Sequence, residues 1–192
     1  MTTIEQRYRA AAEFRAYVDL TSANRDLWTW GARKAAVPED LLARVGALGG
    51  HWHLLVLSED WCGDAVNTVP VLARLAERAP NVDLRLLGRD ANPDLMDAHL
   101  SQGARAIPVV IVYDEHWVER GWWGSRPAPL QRWVKEEGLA LPKDERYRKV
   151  REWYARDRGR TTLEEIVGLM EAAAAAPSGA TESPGEMADA AA

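Results

Sequence analysis

Cysteine is almost absent from this chain. Of its 192 residues only Cys62 carries a thiol. That excludes any internal disulfide and any four-cysteine zinc site. Histidine is sparse as well. His51, His53, His99 and His116 are scattered along the sequence and are expected to form no metal site. No stretch approaches the roughly 20 apolar residues needed to span a membrane. Residues 1–20, with Glu5, Arg7, Arg9, Glu13 and Arg15, read as a charged helix without the apolar core of a signal peptide. An excess of positive charge is also missing. The net charge is −5, so there is no global field for nucleic acid. These absences point to a cytoplasmic protein with a reduced thiol and neither membrane nor nucleic acid as partner.

What is present suits one globular domain with appendages. Hydrophobic residues make up 47% and charged residues 28%, ordinary for a folded chain. At this length a chain buries roughly two-thirds of its unfolded surface, so a core needs no covalent staple.

The first fifty residues are expected to be helical. A second helical piece runs from about Asn24 to Ala35, and Pro38 opens a third, which Gly49-Gly50 closes. From 51 to 57 the sequence turns into a short apolar run, the pattern of a strand buried on both faces. A helix follows over Ala65 to Ala79, then a strand over Val82 to Leu87. Asn92-Pro93-Asp94 opens another helix through Leu100. Val109 to Tyr113 is a third strand, and Trp117 to Trp122 a fourth, joined by a turn at Asp114-Glu115-His116. A helix over Pro129 to Glu137 completes a βαβαββα order, with the first three strands parallel or mixed and the last antiparallel. Two helices come next. Gly159 separates them, and Thr161 to Glu165 has the form of a capping box. Residues 177–192 are small and polar and are expected to be disordered. The division is therefore a helical extension over 1–49, a core over 50–138, C-terminal helices over 139–176 and a tail over 177–192.

Cys62 falls where the first buried strand hands over to a helix. The positive end of a helix dipole favours thiolate. Glu59, Asp60 and Asp64 stand within four residues and oppose it wherever they approach the sulfur. The sequence leaves that balance open.

The segment Trp61-Cys62-Gly63-Asp64-Ala65 resembles the Trp-Cys-Gly-x-Cys motif of the thioredoxin family, with alanine in place of the second cysteine. Pro70 stands eight residues beyond Cys62, like that family's helix-kinking proline. Ala106-Ile107-Pro108 opens the third strand, where the family has a cis-proline facing the cysteine. The resemblance spans roughly 50–137. The helices outside it resemble those of a bacterial subfamily with a Trp-Cys-Gly-Asp core. It implies an α/β thioredoxin-like fold with helical extensions at both ends. It further implies Cys62 as nucleophile, with Trp61, Gly63, Asp64, Ala65, Ile107 and Pro108 around it.

Two departures bear on activity. Ala65 cannot resolve a mixed disulfide, so release depends on an outside thiol such as glutathione. The family's buried acid six residues before the cysteine is Val56 here. Both changes remove the same half of a dithiol cycle. The leading expectation is monothiol thiol–disulfide exchange, with protein thiols, protein disulfides or glutathione as partners and no bound cofactor. The competing expectation is a redox-inactive interaction module on the same fold. A peroxiredoxin-type site is not expected, because Glu59 stands where that chemistry wants threonine.

Other features take plainer readings. Arg146 to Arg160 holds seven basic residues against two acids, with Tyr147, Trp153 and Tyr154 between them. Arginine outnumbers lysine 20 to 4 across the chain, so this reads as an amphipathic helix with its arginines in water rather than an anion-binding patch. Trp122 and Trp123 are expected to cover opposite sides of an edge strand. His99 reads as a surface residue. Glu59, Asp60, Asp64 and Asp90 read as solvated acids, not a metal site.

Overall fold

A computed structural model describes residues 2–176. The expected tail over 177–192 lies outside the described residues. The chain opens with α1 (Ile4–Ala10), α2 (Phe14–Leu20), α3 (Arg25–Lys34) and α4 (Glu39–Gly46). The core follows as β1 (Trp52–Ser58), α5 (Ala65–Arg78), β2 (Val82–Gly88), α6 (Pro93–Ala98), β3 (Val109–Tyr113), β4 (Glu119–Gly124) and α7 (Ala128–Glu136). A 3-10 turn at Gly138–Ala140 leads to α8 (Lys143–Asp157) and α9 (Arg160–Ala175).

The four strands form one mixed sheet in the order β2-β1-β3-β4. Only β1 and β2 run parallel; β3 is antiparallel to both β1 and β4. The α6 connection causes the reversal. It stays at one end of the sheet, so β3 starts with Val109 opposite Leu57, near the end of β1. This sets Pro108 beside the loop that follows Ser58.

Residue pattern accounts for the layers. β1 and β3 are central, and Leu54 to Leu57 and Val109 to Val112 are fully buried. β2 is an edge strand and alternates, with Val82, Leu84 and Leu86 inside and Asp83 exposed. Side chains of neighbouring β4 residues point to opposite faces. Trp122 packs edge-on against His99 just after α6, and Trp123 donates its indole N–H to Glu165 of α9 at 2.6 Å. The two tryptophans do cover opposite sides, and both are buried.

Several local readings need correction. Residues 1–20 are two helices, not one. The chain turns extended at Ala11, and Ala12 exchanges two backbone hydrogen bonds with Leu86 (3.0 and 2.9 Å). The exposed edge of β2 thus acquires a partner, which outweighs helix continuity. β4 starts at Glu119 rather than Trp117, because Asp114 Oδ1 accepts the N–H groups of His116 and Val118 and holds the turn open. α9 has no capping box. Gly159 occupies its N-cap with φ +80, and the Asp157 carboxylate receives the Thr161 N–H instead. The histidines are not all scattered: His51 and His53 meet Asp83, the register partner of His53 on β2.

His99 is also not on the surface. It is 3% exposed, its Nδ1 faces the Leu95 carbonyl at 2.6 Å, and its Nε2 faces Glu119 at 3.0 Å. Burial opposes its charged form, but Glu119 and the Leu95 carbonyl outweigh that and raise the imidazole pKa above its ordinary value. A raised folded-state pKa adds stability that is complete below the unfolded value of about 6.5 and disappears as pH rises through the folded value. Urea titrations on either side of that window should show this loss, and Glu119→Gln should abolish it.

Candidate active-site cleft

Ser58 ends β1, and the loop through Glu59 and Asp60 carries the chain to Cys62 before α5 begins at Ala65. The loop is tied down from outside the sheet. The Asp60 carboxylate accepts the N–H groups of Ser22 and Ala23 at 2.8 and 2.9 Å, and its carbonyl accepts the indole N–H of buried Trp28 at 2.9 Å. α3 can lie this close because Gly31 has no side chain. A Cβ there would sit 2.9 Å from Pro70, the proline inside α5.

The thiol is 7% exposed. Cys62 Sγ donates to the Ile107 carbonyl at 3.3 Å and accepts the Ala65 N–H at 3.4 Å. The Ile107–Pro108 peptide is cis. The structure therefore brings Cys62, Gly63, Asp64, Ala65, Ile107 and Pro108 together. Trp61 stands at the mouth, half exposed, with the Arg89 guanidinium 5.0 Å from its ring centre.

Glu59 and Asp60 are drawn away from the sulfur. Glu59 accepts the Asp90 N–H at 3.0 Å, Asp60 holds the Ser22 turn, and Asp90 pairs with Arg89. These acids do not converge on a common point. Asp64 is the one that matters. It is buried, pairs with Arg126 at 2.6 Å and accepts the Tyr154 hydroxyl at 3.0 Å. Burial pushes the Asp64 carboxyl up, against the pull of Arg126 and Tyr154. Arg126 is held protonated by Asp64 despite its own burial. Breaking a largely buried pair of this kind costs on the order of 3 kcal/mol.

The sign left open by the sequence is now decided. Burial pushes the Cys62 thiol up, and the Asp64 charge adds to it. The Ala65 and Asp64 N–H groups and Arg126 oppose, without reversing the result. A hydrogen bond from the thiol to a carbonyl favours the same protonated state.

The sulfur lines a cleft of about 640 Å3. Asn24 and Leu27 of the N-terminal helices edge one side. α8 forms the other wall with Lys143, Arg146, Tyr147, Val150 and Arg151. With Arg89, Arg105 and Arg126, six basic side chains face the cleft against a single acid, Asp64. Arg105 is engaged by Asp97, Arg89 by Asp90 and Arg126 by Asp64. Among the described residues, Lys143, Arg146 and Arg151 have no carboxylate within ion-pair distance. The amphipathic reading of α8 holds, since Arg148, Arg151, Arg156 and Arg158 are exposed and Arg146 is half-buried at the edge of the cleft. Val150 and Tyr154 do pack inward, on Leu130 and Val134, and Arg148 pairs with Glu152 across the surface. A third face, at positions 143, 146, 147, 150 and 151, looks into the cleft.

Sequence reasoning missed Arg126, Tyr154 and this wall. The spacing of three and four along α8 was a usable signal for one shared face. Nothing in the sequence tied Arg126 or Tyr154 to Asp64.

Comparison with known proteins bears on the family and the fold. A thioredoxin family model matches residues 11–146. The chain belongs to the thioredoxin family. The match extends beyond 50–137, where the motifs lie, into α2 and α8. No curated protein matches. Among solved structures, a protein of unknown function from Pseudomonas aeruginosa, PA1234, superposes with a TM-score of 0.70 at 21% identity, over 90% of this chain and 99% of that one. An HIV epitope-scaffold gives 0.68 at 19% identity, over 88% and 98%. At such identities these likenesses speak for the fold alone. No helix among the described residues is long and apolar enough to cross a membrane.

Asp64→Asn removes the charge that destabilises thiolate and leaves Arg126 unopposed near it. The Cys62 pKa should fall. The pH midpoint of iodoacetamide alkylation should move to lower values; an unchanged midpoint would show that burial alone sets it.

Proposed function

We propose that this thioredoxin-family protein carries out monothiol thiol–disulfide exchange at Cys62 on negatively charged substrates. The observation that carries the reading is the placement of its one thiol, between the Ala65 N–H and the carbonyl of the residue before Pro108, in a cleft with an excess of cations. In the exchange, deprotonated Sγ attacks one sulfur of a disulfide. A new S–S bond forms, the old one breaks, and the departing thiolate takes up a proton. Ala65 supplies no second thiol, so an outside thiol such as glutathione completes the cycle by the reverse attack. The raised pKa makes the first step slow near neutral pH, since little thiolate is present.

Charge in the cleft supports the choice of substrate. Lys143, Arg146 and Arg151 have no ion-pair partner among the described residues and stand on one wall, with Lys143 and Arg146 at 5.9 and 5.7 Å from the Tyr147 ring centre. Acidic protein segments and oxidised glutathione carry the charge that complements them.

One observation favours a second reading, a redox-inactive interaction module. The thiol is buried and protonated, as in an inert structural cysteine.

The two separate on treatment with disulfides. Oxidised glutathione should give a single adduct at Cys62 by intact mass, faster as pH rises. Cystamine, a cationic disulfide, should react more slowly. Arg146→Glu with Arg151→Glu should slow glutathione, by about tenfold at low salt, and speed cystamine. No adduct with either disulfide, even at alkaline pH, would leave the interaction module standing. Ala65→Cys should restore an internal disulfide on mild oxidation, read as two thiols lost to Ellman's reagent.

A further inference from the structure

We propose that His51, His53 and Asp83 form a binding site for a divalent transition-metal ion of the zinc type, at the end of the sheet away from Cys62. The thiol chemistry plays no part in it. The two places are separated by the length of β1, roughly 20 Å.

Topology assembles the site. His51 and His53 are two residues apart where the chain enters β1, and Asp83 on β2 is the register partner of His53. One ligand atom from each residue lies within 4.8 Å of the others. His51 Nε2 is 2.9 Å from Asp83 Oδ2, and His53 Nδ1 is 3.6 Å from the same oxygen. Metal–ligand bonds of about 2.0–2.2 Å in tetrahedral array set neighbouring donor atoms roughly 3.4 Å apart. The two separations bracket that value, so small side-chain movements complete the geometry. Two imidazoles and one carboxylate suit zinc and its first-row neighbours, and they leave a position for water.

An independent observation points the same way. His53 Nδ1 is buried and has no hydrogen-bond partner among the described residues. Its ring cannot easily turn to find one. It stacks on Trp117 at 4.0 Å and 4°, and Tyr8 packs edge-on at 5.3 Å. A fixed imidazole with an unused nitrogen aimed toward a carboxylate is prepared to ligate. Solvent reaches the site through the other two members, since the side chains of His51 and Asp83 are 36% and 56% exposed. The Glu115 carboxylate lies beside Gly50, the residue before His51, and adds negative charge nearby. Binding replaces the hydrogen bond between His51 and Asp83 with two bonds to the ion.

Calorimetric titration of the full chain with zinc chloride tests this, beside thermal unfolding. One ion per chain should bind and raise Tm. His51→Ala and Asp83→Asn alter exposed side chains and so spare the fold, which circular dichroism checks. Each should weaken binding tenfold or more and remove the Tm rise. Cys62→Ser should bind as the parent does. The proposal falls if no heat appears at millimolar zinc, if His51→Ala and Asp83→Asn bind as before, or if Cys62→Ser abolishes binding.

Discussion

The ion pair between Asp64 and Arg126 organises the end of the sheet that carries Cys62. Asp64 comes from the loop leading into α5, Arg126 from the turn after β4, and Tyr154, which completes the set, from α8. Three segments distant in sequence converge on one buried carboxylate. A charge in that position is unfavourable unless it is neutralised and hydrogen-bonded. Meeting that requirement holds α8 against the core, and α8 carries the cations of the cleft wall. The same carboxylate helps keep the neighbouring thiol protonated. A single residue of the motif thus couples the shape of the cleft to the state of its sulfur.

The N-terminal helices serve the site in a different way. They hold its loop from outside. Asp60 binds the Ser22 turn through its carboxylate and Trp28 through its carbonyl. Trp28 is fully buried, and Gly31 lets α3 approach Pro70. The loop before Cys62 therefore has little freedom, and the two acids flanking the motif on that side are committed to backbone partners. Three carboxylates near a cysteine in sequence become one near it in space.

Much of the fold was legible in the residues. Continuous apolar runs at 54–57 and 109–112 marked the central strands, because both faces of those strands are covered. Trp61-Cys62-Gly63 and Ile107-Pro108 marked the two lips of the site. Boundaries were less legible where a tertiary contact overrode local preference. Ala11 and Ala12 favour helix, yet the open edge of β2 takes them. His99 follows a helix of only six residues, yet Trp122 and Glu119 enclose it. A histidine beside a strand gives no sign of which strand will be its neighbour, so the meeting of His51 and His53 with Asp83 was hidden as well.

The sequence by itself determined that one thiol exists, that it sits at a strand-to-helix junction, and that this chain carries no second thiol beside it. These are matters of residue identity and local pattern. Only the tertiary structure decided the sulfur's ionisation, the sign of charge around it and the wall it faces. Each depends on the distance between groups far apart in the chain. Electrostatic energy depends on that distance and on burial, and neither is written in the order of the residues.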